Sequence, residues 1–329
     1  MTGQDKRNVT ATAVAVGLSV LFSYLDLLSL LYTIPVIVAS SWYRDGRRLL
    51  PAAVAGFLVV SLTLVSNREA FGTDSGRLAI LIALFIPVVV WISALLWIGL
   101  DGKRFLTRFL ASSAVPVIAS LAVLVVFAVQ ADAAKVLDGY FSKTFVDLFQ
   151  EIAIHGEADP VVNANLTKLY RMVVQVMGAV LGPMMMTVCG VNAFIALSIQ
   201  QKGTVRLTEK VLTWRLPQDW VWAFLGLWFT VALGYFLSWP YLVKALVINV
   251  ALSVSLLYEL QGFAILLFWL RKRHVTLTAG KLFGWVIVLV LFLPGMNMVG
   301  VLALLVVGVL ETWFEFRRKD KEISYENHS

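Results

Sequence analysis

The chain has 329 residues, a formal net charge of +7, 60% hydrophobic and 14% charged residues, and a mean hydropathy of +0.84. A soluble domain of this size cannot bury that much apolar surface, so the expected solvent is a lipid bilayer and the expected fold an all-α polytopic helix bundle. The bases sit in short loops beside apolar runs, which excludes a nucleic-acid partner, and one cysteine (Cys189) with three scattered histidines leaves no disulfide framework, metal site or cofactor to expect.

Ten candidate spans follow in chain order: 11–25, 28–43, 49–66, 78–100, 105–130, 171–200, 219–238, 242–270, 282–293 and 296–313. The apolar run from Thr10 to Trp42 is too long for a signal-peptide core, so it is expected to be retained. As one helix, residues 11–42 would measure ~48 Å at ~1.5 Å per residue, against a hydrocarbon core of ~30 Å. A reversal near Asp26 is therefore predicted. The run around Pro294-Gly295 also overshoots, and Pro beside Gly is a turn signal. Eight spans are the alternative, with the short first and last pairs re-entrant or interfacial.

Charge sets the threading. With Lys6 and Arg7 in the cytoplasm, ten spans put Arg44, Arg47 and Arg48, then Lys103, Arg104 and Arg108, on the same side. The bases of 202–215, 271–281 and 317–321 follow them. Both termini are thus expected in the cytoplasm of a bacterial inner-membrane protein, with 1–329 forming a single transmembrane domain.

One loop is long. Residues 131–170 are acidic and fall outside in this threading. Within them Leu137, Phe141, Phe145, Leu148 and Ile152 recur at helical spacing, which predicts an amphipathic helix over about 135–153. It either lies on the outer leaflet or caps the bundle, or it serves as a lid or partner-binding arm. Gly156 through Pro160 ends it.

The sixth span carries Gly178, Gly182 and Gly190, spaced for close helix packing, with Gln175 and Asn192 as further polar residues. The eighth carries Asn249, Glu259 and Gln261. Glu259 lies 12 residues before Arg271, hence ~18 Å from the cytoplasmic helix end and near mid-bilayer. A lipid-facing carboxylate there costs about 2.5–3.5 kcal/mol, so it must face the bundle, pair or hold a proton. Asn249 sits roughly 80° from Glu259 around the axis, so the two can border one cavity. The three polar residues form either a substrate site or interhelical hydrogen-bond contacts. No P-loop, HExxH, GxSxG or dinucleotide fingerprint is present, so no enzyme activity is expected.

Three segments carry a resemblance: Arg215-Leu216-Pro217-Gln218-Asp219-Trp220 before a span, Tyr258-Glu259-Leu260-Gln261-Gly262 inside the next, and Glu311-Thr312-Trp313-Phe314-Glu315-Phe316-Arg317 ending the last. In this order the chain resembles the YybS-like family of uncharacterised multi-pass bacterial membrane proteins. The likeness covers the C-terminal half; the N-terminal half matches in Ile34-Pro35-Val36 and Asp45-Gly46. That family is distantly similar to the substrate-binding components of energy-coupling-factor vitamin transporters. The resemblance implies a helical bundle that captures a small-molecule solute and docks on an ATPase module or another membrane-protein partner. A solute transporter or transporter component is the first functional expectation. A non-catalytic scaffold or assembly subunit of a cell-envelope complex is the second.

Overall fold

The computed structural model describes residues 3–43, 45–152, 160–200, 205–273, 275, 278–292 and 296–317, and every element among them is helical. Twelve α-helices follow in order: α1 Gly3–Ser23, α2 Ile34–Ser40, α3 Leu50–Ser66, α4 Asp74–Gly99, α5 Phe105–Val129, α6 Ala131–Ile152, α7 Pro160–Gln200, α8 Val205–Leu212, α9 Trp220–Phe236, α10 Tyr241–Lys272, α11 Ala279–Phe292 and α12 Met296–Phe314. Short 3-10 helices at Asp26–Leu31, Asp45–Leu49 and Arg68–Gly72 link the first four. Five segments are long and apolar enough to cross a membrane: Arg47–Ser66, Asp74–Gly99, Phe105–Val129, Val162–Gln200 and Tyr241–Lys272. Four shorter apolar helices accompany them.

The helix ends follow local chemistry. Thr73 caps α4 by accepting the Gly76 N–H at 3.0 Å. Pro116 removes one donor from α5 and frees the Ser112 carbonyl. Ser93 of α4 donates to that carbonyl at 2.8 Å, so a neighbouring helix restores the lost bond.

Near Asp26 the chain does break. α1 ends at Ser23, and α2 packs back against it. The second expected span, 28–43, is not a membrane-length helix: it is a 3-10 segment followed by seven α-helical residues, about 10 Å long. Long-range bonds hold this piece. Asn192 of α7 donates to Leu30 O at 2.7 Å and accepts the Thr33 hydroxyl at 3.0 Å, while Gln200 donates to Ile37 O at 2.6 Å. The expected reversal at Pro294-Gly295 lies outside the described residues; α11 and α12 on either side are separate helices in contact.

The expected outer helix is present as α6. Leu137 is buried, and the Phe145 ring lies 5.6 Å from that of Tyr170 on α7. Phe141 and Leu148 on the same face remain exposed, at 42% and 53%. The Ile152 side chain and Gly156 through Asp159 lie outside the described residues. The sixth span starts earlier than its apolar run: Pro160 opens α7, whose 41 residues reach about 60 Å. α6 packs on α7, α4 and α5.

α10 is the central helix. It touches α5, α7, α8, α9 and α12 and is buried on several sides, which matches its lack of one apolar face. Its closest neighbour is α12. A Cβ on Gly262 would fall 1.9 Å from Leu304 O, and one on Gly308 would fall 1.9 Å from Tyr258 O. Only glycine permits that backbone contact. On the outside, Trp222, Phe229 and Phe236 of α9 expose their rings, as lipid-facing residues do.

Candidate functional site

A cavity of about 220 Å³ lies among α4, α5, α7, α8, α10, α11, α12 and the segment linking α8 to α9. Aromatic rings form much of its wall. Trp214, in that linker, meets Phe109 edge-on at 5.1 Å and Phe105 at 5.8 Å, and Phe105 in turn meets Trp97 at 5.9 Å. On the far side Phe283 of α11 packs against Phe194 of α7 at 4.6 Å and Phe263 of α10 at 6.4 Å.

Glu259 reaches this wall. Its helix neighbours Leu256, Leu260 and Phe263 line the same cavity. Among the described lining residues Glu259 is the sole ionisable group, and it has no hydrogen bond or ion pair there. Thr187 also lines the cavity, and its hydroxyl already donates to Pro183 O at 2.8 Å. The indole N–H groups of the lining residues Trp97 and Trp214 are buried without a hydrogen-bond partner among the described residues.

The structure does not bring Asn249 and Gln261 to that cavity; both join helices. Asn249 accepts the Gly182 N–H at 2.6 Å and donates to Gly178 O and Ala245 O, each at 2.7 Å. Gly178 and Gly182 stand four apart, so the amide bridges the two backbone groups that an α-helical bond would join. Gln261 accepts the Leu216 N–H at 2.7 Å and donates to Gly308 O at 2.8 Å. It thereby ties the linker that carries Trp214 to α10 and α12. The expected packing glycines divide similarly. A Cβ on Gly178 would lie 2.4 Å from Tyr241 Oη and one on Gly182 2.9 Å from Asn249 Oδ1, whereas Gly190 has only ordinary contacts with Phe109, beside the cavity. Gln175 is exposed. Asn192 is spent on the α2 segment.

Two clusters of charge stand near the cavity, and the charge threading did not pair their members. Asp101 bridges Arg48 at 2.5 Å and Arg108 at 3.0 Å. Arg108 also donates to Trp97 O, with its guanidinium 4.1 Å above the Trp97 ring. At the end of α12, Glu311 is 1% exposed and pairs with Arg317 at 2.9 Å. Arg317 then donates to Leu212 O at 2.9 Å, and Arg215 approaches Glu315 at 3.6 Å. These bonds hold the α8–α9 linker, and hence Trp214, against the cavity. The sequence signal for them was present, a Glu six residues before an Arg at a span end, but charges at span ends read first as membrane anchors.

Comparison with models of protein families, with curated proteins and with solved structures gave no match.

Proposed function

We propose that the protein is a solute-binding membrane component, either a transporter or the substrate-binding part of one, with the 220 Å³ cavity as its site. The observation that carries this reading is Glu259, the one carboxylate among the described lining residues, on a largely apolar and aromatic cavity wall. A bundle selected only for packing has no use for an uncompensated carboxylate at that depth, whereas binding sites in bundles combine an apolar wall with a few placed polar groups. Asn249 and Gln261 then support the site by fixing α10 against α7, α12 and the linker. The reading places the chain in a bacterial inner membrane with both termini cytoplasmic, an orientation supported by the clustering of Lys and Arg. With α2 too short to cross, α1 and α2 form a re-entrant pair, which keeps the bases before and after them on one side. It includes the likeness to the YybS-like family, with an ATPase module or other membrane protein as partner.

The test is extraction of small molecules from protein purified out of native membranes, alongside Val301→Trp, which fills the cavity from α12. A solute that accompanies the wild type and is lost from a folded Val301→Trp is expected. Equal small-molecule content in the two would refute the site. A second reading, an envelope-assembly scaffold without a solute, is favoured by the exposed Phe141 and Leu148 on the outer helix. It predicts a protein partner that is lost on Phe141→Ser with cavity contents unchanged.

A further inference from the structure

The class of solute follows from the walls, on the condition that the cavity binds a solute as proposed above. We propose that the cavity takes a small apolar organic cation, an aromatic or aliphatic ammonium, with its charge at Glu259 and its hydrocarbon against the rings.

Sign comes first. Among the described lining residues the sole ionisable group is negative, and none is Lys, Arg or His. Arg108, behind Trp97, is engaged by Asp101 and by the Trp97 carbonyl. An anionic solute would meet like charge in a low-dielectric space, where repulsion is strong. Polarity comes next. A sugar-like solute would leave water for a wall whose polar side-chain groups are Glu259, the Thr187 hydroxyl and the indole N–H groups of Trp97 and Trp214, too few to pair all its hydroxyls. A neutral hydrocarbon would fill the space and leave the carboxylate without a counter-charge. A cation with an apolar body meets both demands at once.

The rings add a further attraction. Trp97, Phe105, Trp214 and Phe263 all line the cavity, and aromatic faces attract ammonium groups, most strongly when both are out of water. Size bounds the choice. A cavity of about 150 Å³ accommodates benzene. The 220 Å³ here therefore suits a solute of about ten non-hydrogen atoms, such as a benzyl ammonium.

Three probes with the same number of non-hydrogen atoms decide the matter on the purified full-length protein in nonionic detergent. Benzyltrimethylammonium carries the charge, neopentylbenzene is its uncharged isostere, and 3-phenylpropanoate is the anion. Calorimetric Kd values are compared for wild type and Glu259→Gln, with Val301→Trp correcting for partition into the micelle. The cation should bind the wild type at least about tenfold more tightly than the isostere. Glu259→Gln should erase that preference, and the anion should not bind. If the isostere binds the wild type as tightly as the cation, or if Glu259→Gln keeps the preference, the cation assignment is overturned and the cavity survives as an apolar site. If none of the three binds the wild type, the solute-site reading falls and takes this proposal with it.

Discussion

The bridge between Asn249 and the α7 backbone makes a quantitative prediction through a double-mutant cycle. Truncation to Asn249→Ala deletes two interhelical hydrogen bonds, to Gly182 N–H and Gly178 O, and one within α10. Interhelical bonds in membranes average about 0.6 kcal/mol, and the freed Gly182 N–H can close on the Gly178 carbonyl as an ordinary helical bond. The expected loss is therefore only about 1–2 kcal/mol. Gly182→Ala acts differently. Its new methyl would sit 2.9 Å from Asn249 Oδ1 and push the amide off both backbone partners. Overpacking together with those lost bonds should cost about 2–3 kcal/mol. In the double variant the methyl enters space the amide has vacated, so the second substitution costs little. The two should couple by at least about 1 kcal/mol, with the double variant more stable than the sum of the singles predicts. Reversible unfolding in mixed micelles of nonionic detergent and dodecyl sulfate measures all four corners. Additivity within about 0.5 kcal/mol would show that the amide and Gly182 do not share this site, and would refute the bridge.

Two further predictions concern the C-terminal end of α12 and the threading. Arg317→Leu leaves Glu311 buried without its counter-charge and should cost about 3–5 kcal/mol, while Glu311→Leu with Arg317→Leu together should cost far less; thermal unfolding of the two variants checks this, and equal losses would contradict the pairing. For orientation, a membrane-impermeant thiol reagent applied to intact cells should label a cysteine placed at Ser142 and not one at Ser324; the native Cys189 is buried and should stay silent. The reverse pattern would invert the threading.

Which parts were legible beforehand follows from the range of the interactions. The helical class, and the break between α1 and α2, are consequences of apolar run length against bilayer thickness. The amphipathic α6 is a consequence of side-chain spacing along one helix. The short α2 was not legible, because its apolar residues look like those of a span. Its limits come from Asn192 and Gln200, more than 150 residues away in sequence. The closest backbone contact, Gly262 and Gly308 across α10 and α12, was likewise hidden: a glycine in an apolar run does not announce which helix will meet it.

Asn249, Glu259 and Gln261 show the division most sharply. Composition and position alone place three polar residues on one apolar helix and require each to avoid lipid, since an unsatisfied polar group there is costly. That much is a one-body property of the helix in its solvent. How each is satisfied depends on what stands opposite. Asn249 meets a glycine pair on α7, Gln261 meets the linker and α12, and Glu259 meets a cavity where none of the described residues supplies a partner. Those neighbours arrive from segments tens to hundreds of residues apart, and their side chains and approach distances exist only once the bundle has packed. The sequence by itself therefore determined that these residues must be buried, and the tertiary structure decided that two of them join helices and one faces a cavity.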